Sequence, residues 1–183
     1  MNRTYLFILC VIKIYSTDAD YYWRDYDLLI PCDAVQGGTD ALGYYTYIGQ
    51  ITAFECGKPG LPDIVSATIY KYDDYAYAAY HGKIFKSNKG VKILCSRKGN
   101  KLKWLNSDQE NCKLVQGSFT DTYTNFYIGR SRFNNQNVTG RFSLNERVLY
   151  VPWKPMPNVL QTFKQYDMLM DCDEEHSLTV SVE

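Results

Sequence analysis

Histidine is almost missing from this 183-residue chain, which holds two. General acid–base chemistry at neutral pH thereby loses its commonest carrier. There is no G-x-S-x-G, no H-E-x-x-H and no C-x-x-C in the chain, so it lacks the nucleophile elbow, the zinc-protease helix and the paired-cysteine zinc module. A glycosidase-type carboxylate pair is the one enzymatic arrangement left open. The expectation is a protein that binds rather than catalyses, with no cofactor and no metal. Charge of one sign is also lacking, since 20 Lys and Arg balance 20 Asp and Glu. Nucleic acid and anionic membranes both require a concentrated basic face, so neither is an expected partner. No apolar run reaches the length of a bilayer span, and no window carries a sustained apolar stripe at helical spacing.

The N-terminus reads as an export signal. Arg3 supplies the positive start, Leu6 to Ile12 an apolar core, and Thr17 and Ala19 the small residues ahead of a cut before Asp20. The expected domain limits are a signal at 1–19, repeat 1 at 20–97, repeat 2 at 98–172 and a tail at 173–183. The mature chain then carries 18 basic against 19 acidic residues and is expected to be secreted and extracellular. The chain has 17 tyrosines, a residue that favours half-buried strands and also builds sugar- and protein-binding surfaces.

The chain repeats itself. Tyr47-Ile48-Gly49-Gln50 returns as Tyr127-Ile128-Gly129-Arg130, and at the same offset Cys32, Val35, Gln36 and Gly37 fall on Cys112, Val115, Gln116 and Gly117. Trp23 corresponds to Trp104 with a one-residue slip, Tyr77–Tyr80 to Tyr150–Trp153, and Val91–Leu94 to Tyr166–Leu169. An ordered series of matches at one spacing marks a duplicated unit. Each copy is rich in aromatic and β-branched residues broken by Gly, Pro and Asp-Asp. Strands are predicted at 45–53, 64–70 and 75–80, and again at 125–133, 140–144 and 147–153. The segment 158–166 has room for one helical turn at most. The fold class expected is all-β, with two tandem antiparallel subdomains.

Ala34-Val35-Gln36-Gly37-Gly38-Thr39-Asp40, Tyr47-Ile48-Gly49, Tyr80-His81-Gly82-Lys83 and Val91–Leu94 together resemble one DM9 repeat. Tyr127–Arg130, Gly140-Arg141, Tyr150–Trp153 and Tyr166–Leu169 resemble a second. The resemblance implies two β subdomains related by pseudo-twofold symmetry and secreted, defence-related roles in invertebrates. It also implies mannose-type glycans or other microbial surface sugars as ligands. The alternative is a salivary, venom or matrix protein that contacts host or matrix proteins on the same scaffold with the sugar site lost. A homodimer is compatible with either.

Lectin members of the family carry an acidic residue after the A-V-x-x-G stretch and a lysine further on. A carboxylate accepts sugar hydroxyls while an ammonium donates to sugar oxygens. The resemblance places the acidic position at Asp40 in repeat 1 and at Thr120, followed by Asp121, in repeat 2. It places the lysine position at Thr68 and Arg141, so neither repeat keeps both charges and a hybrid of Asp40 with Arg141 would restore one pair. Asp40 also suits a turn. Tyr70, Tyr72, Tyr75, Tyr77 and Tyr80 read either as an aromatic platform or as one buried sheet face. His81 reads as a turn residue, and the acidic run ending in His176 as solvated.

Repeat equivalence predicts disulfides 32–95 with 112–172, or 95–112 with 32–172, leaving Cys56 as a free thiol. Asn137-Val138-Thr139 is a glycosylation sequon in an asparagine-rich stretch expected to be an exposed loop.

Overall fold

The computed structural model describes residues 20–54, 62–97, 101–119, 125–154 and 160–172. Among them every regular element is a strand, and no helix is long and apolar enough to cross a membrane. The first sheet holds β1 (Tyr21–Asp25), β2 (Gln36–Thr39), β3 (Tyr45–Ala53), β4 (Asp63–Tyr70), β5 (Ala76–Tyr80), β6 (Lys83–Ser87) and β7 (Lys92–Ser96). The second holds β8 (Leu102–Leu105), β9 (Cys112–Leu114), β10 (Gln116–Ser118), β11 (Phe126–Phe133), β12 (Gln136–Ser143), β13 (Val148–Val151), β14 (Gln161–Phe163) and β15 (Asp167–Cys172).

Both sheets are antiparallel and share one topology. The order β1-β7-β3-β4-β5-β6 of the first is repeated as β8-β15-β11-β12-β13-β14 in the second, with β2 on β3 matched by β10 on β11. Registers agree as well: Gly49 faces Ala67 as Gly129 faces Gly140. Each sheet has its own core, one around Ile51, Val65, Ile69 and Ile93, the other around Phe142, Leu149, Met168 and Met170. A third core is shared. Ile48 and Leu94 of the first sheet meet Val115, Ile128 and Leu169 of the second, flanked by Trp23 and Trp104. Trp23 sits opposite Leu94 and Trp104 opposite Leu169, so the slip seen in sequence disappears in the register. Burying each such aliphatic side chain stabilises the fold by about 2 kcal/mol, and the shared core locks the two repeats together.

A hydrogen-bonded seam completes that junction. Thr68 Oγ1 donates to the Thr139 carbonyl at 3.1 Å, Ser66 and Ser118 hydroxyls meet at 2.8 Å, and Gln50 Nε2 donates to the Gly117 carbonyl at 3.0 Å. The Ile64 and Phe119 backbones exchange two bonds across the sheets. Glycine is required where β2 crosses β12: a Cβ on Gly38 would lie 1.8 Å from the Asn137 carbonyl oxygen.

Strand limits differ from expectation where turns intervene. Asn134 and Asn135, at φ +48° and +59°, form a two-residue hairpin turn, since asparagine tolerates the left-handed region. The predicted Asn-rich loop is therefore only this turn. β12 begins at Gln136, four residues earlier than predicted, and Asn137 stands on a strand opposite Arg132. His81-Gly82 makes a turn of the same two-residue, left-handed kind between β5 and β6. Where the sequence left room for one helical turn at most, Gln161–Phe163 is a strand that pairs with β13, whose edge would otherwise lack partners.

Cys112 and Cys172 form a disulfide, which is half of the first predicted pairing and excludes the second. Cys32 and Cys95 keep free thiols. The register explains why. Cys172 lies directly opposite Cys112, whereas Cys95 lies opposite Ala34, two residues short of the equivalent position. That diagonal separation is about 7–8 Å between Cα atoms, beyond easy disulfide reach. Cys56, residues 1–19 that read as an export signal, and residues 173–183 lie outside the described residues.

Candidate functional site: a pocket on the seam

The chain leaves β2 through Asp40, which builds its own turn. Its Oδ1 accepts the backbone N–H groups of Leu42 and Tyr44, both at 2.9 Å, and its own N–H donates to the Tyr44 carbonyl. This is the Asx geometry that Asp supplies in loops. Among the described residues the carboxylate thus serves the turn through Oδ1. It borders a cavity of about 260 Å³ lined by Asp40, Leu42, Tyr70, Gln136 and Lys154. Asp40, Leu42 and Tyr70 come from the first repeat, Gln136 and Lys154 from the second.

Lys154 is anchored across the seam. Its ammonium pairs with the largely buried carboxylate of Asp73 and lies 5.1 Å and 5.9 Å from the ring centroids of Tyr70 and Tyr77. Asp73 is also held by the Tyr75 N–H at 3.0 Å and the Tyr77 hydroxyl at 3.1 Å. Burial opposes its charge, but Lys154 and these donors outweigh burial and hold its carboxyl below the usual range. Burial pushes the Tyr70 phenol up to about 12. Burial and then Asp73 do the same for Tyr77, also to about 12. The pocket thus gathers a carboxylate oxygen, an ammonium, a side-chain amide and a neutral phenol ring.

Thr68 is buried and joined to Thr139, so it is a seam residue remote from solvent. Arg141 is not Asp40's partner. Its guanidinium lies 4.0 Å from the Phe126 ring centroid and 5.5 Å from that of Tyr150. Burial lowers its pKa, while Tyr150, Glu146, Tyr80 and Asp63 favour its charge. Thr120 and Asp121 lie outside the described residues. Asn137 is exposed and borders a larger cavity of about 660 Å³ with Arg130, Arg132, Lys164 and Asp167.

Lys154 and Gln136 were missed by sequence reasoning. Matching Tyr77–Tyr80 to Tyr150–Trp153 sets Lys154 against His81, the next residue of each copy, and that alignment held the signal. Strand registers show that the pocket is not duplicated. Tyr70, Gln136 and Lys154 correspond to Ser143, Asp63 and His81, and Asp63 instead accepts the Tyr80 hydroxyl at 2.5 Å.

Two antiparallel sheets of one topology, joined through a shared core and a hydrogen-bonded seam, define a tandem β-repeat protein. The chain belongs to the DM9 repeat family, whose model matches residues 61–159. That match runs from the start of β4 to beyond β13 and so takes in strands of both sheets. No curated protein matches the chain.

Proposed function

We propose that this protein is a secreted carbohydrate-recognition module whose site is the seam pocket. The observation that carries the reading is that two oppositely charged residues from opposite repeats, Asp40 and Lys154, line it together with Gln136 and Tyr70. A carboxylate accepts two sugar hydroxyls, an ammonium donates to ring or hydroxyl oxygens, and an amide does both. The cavity is smaller than those that hold drug-sized ligands and suits a single sugar ring. Mannose-type sugars on microbial surfaces are the ligand class that DM9 membership favours. Binding without catalysis is the role, and export through residues 1–19 would bring the protein to such surfaces.

A glycan array probed with the mature protein tests this. Signal on mannose-bearing glycans, lost in both Asp40→Ala and Lys154→Ala and kept in Arg141→Ala, is the expected result. Signal that survives both substitutions would move the site elsewhere. An empty array alongside a co-purifying protein would favour the protein-binding alternative.

A further inference from the structure

Next to the pocket stands an exposed aromatic pair, Tyr44 and Tyr72. Asp73 donates its N–H to the Tyr70 carbonyl at 3.2 Å, closing a turn with Lys71 and Tyr72 at its centre. Tyr72 occupies the third turn position at φ +67°, a left-handed backbone that glycine or asparagine adopts without strain and tyrosine does not. Its side chain is 80 % exposed, so burial gives nothing back. The ring is nonetheless placed. It meets Tyr44 edge to face at 5.5 Å between centroids, and the Lys71 ammonium lies 5.0 Å from its centroid and 6.0 Å from that of Tyr44.

Both partners grow out of the pocket wall. Tyr44 closes the Asp40 turn through its N–H on Asp40 Oδ1, and Tyr72 lies between Tyr70, which lines the pocket, and Asp73, which holds Lys154. Leu42, 81 % exposed, also lines the pocket and stands two residues before Tyr44 on the same turn. A strained backbone that presents an exposed, oriented aromatic is a device kept for contact rather than for stability.

We propose that the pocket is the first subsite of a longer groove and that the Tyr44–Tyr72 pair is the second, so the ligand is an oligosaccharide of at least two rings. The inference rests on the carbohydrate reading of the pocket. The first ring takes the polar contacts of Asp40, Gln136 and Lys154. The next stacks its apolar face on Tyr72, with Lys71 donating to its hydroxyls.

Titration calorimetry of the mature chain with methyl mannoside and with mannobiose tests the proposal. Wild type should bind the disaccharide about tenfold more tightly, the factor that corresponds to about 1.4 kcal/mol. Tyr72→Asn should bring that ratio to about one and leave methyl mannoside affinity unchanged. Because asparagine relieves the left-handed strain, the same variant should melt no lower than wild type, an outcome that a structural role for Tyr72 would reverse. Tyr72→Phe should keep the ratio. A wild-type ratio of one, or an undiminished ratio in Tyr72→Asn, overturns the second subsite while the pocket reading stands. Binding of neither sugar overturns both.

Discussion

Lys154 of the second repeat forms an ion pair with Asp73 of the first, and the same ammonium borders the cavity that holds Asp40. One side chain therefore joins the two sheets and supplies the positive charge of the site. Neither repeat alone carries both charges of this pocket, and its geometry depends on the seam.

This pairing has an acid signature. The folded carboxyl of Asp73 sits below its ordinary value, so its stabilisation is complete above the unfolded pKa of about 4. It is lost as pH falls through the lower folded value. Asp73→Asn should cost about 1–2 kcal/mol at neutral pH, a modest figure because Lys154 is partly exposed. The gap between variant and wild type in urea melts should stay constant from about pH 5 to 8 and close below about pH 4. A gap independent of pH would show that Asp73 acts through packing alone.

The tyrosines give the opposite limb. Tyr70 and Tyr77 ionise near 12 in the fold, whereas the unfolded chain ionises near its ordinary value of about 10. The native state then holds more protons than the unfolded state, so stability falls as pH rises between these values. Tyrosinate absorbance should show most tyrosines titrating first and a late group that appears together with unfolding. Complete titration without unfolding would contradict the burial of both rings.

The cysteines separate register from resemblance. Peptide mapping should recover Cys112 joined to Cys172. A thiol reagent should label Cys32 in the native protein and Cys95 only after unfolding, since Cys95 is buried and burial pushes its thiol up to about 11. Ser96 donates its N–H to the Asp33 carbonyl, which places Arg97 where Cys172 stands in the other repeat. Arg97→Cys should therefore form a second bridge with Cys32. Removing the bridge across 60 residues in Cys112→Ser should cost about 4 kcal/mol by the loop-entropy argument. A native Cys32–Cys95 disulfide would refute this register.

Much of the fold was legible because two signals reinforce each other. Aromatic and β-branched richness bounded by turn residues located β3 to the residue, and the duplicated Tyr-Ile-Gly motif implied the second sheet before any contact was known. Cys95 misled because it was matched to Cys172 as a strand-closing cysteine, although the alignment of Val91–Leu94 with Tyr166–Leu169 sets it against Met170, where the pairing also places it. The site was half legible. Asp40 stood in a recognisable motif, but Lys154 works across the seam, and no distance between repeats can be read along one chain. Thr68 and Arg141 do occupy equivalent strand positions, as the alignment had them. One turned inward to Thr139 and the other stacked on rings, choices that packing makes.

Asn137 gives the last test. The sequence suggested an exposed loop at Asn137, four residues before Arg141. On the strand it is opposite Arg132 and four residues from Arg141, about 13 Å at the usual strand rise. Buried Thr139 lies between the two. A glycan there would instead cover the cavity bordered by Arg132 and Lys164. Its backbone N–H donates to Thr39 Oγ1 at 3.3 Å, a bond that a side-chain change leaves intact. Asn137→Gln should therefore remove any glycan mass from secreted protein while shifting stability by no more than about 0.5 kcal/mol. Arg141 reactivity toward a guanidinium reagent should be equal in the two forms, whereas Arg132 should become more reactive when the glycan is gone. Protection of Arg141 by the glycan would restore the loop reading and place the modification over the second repeat's site.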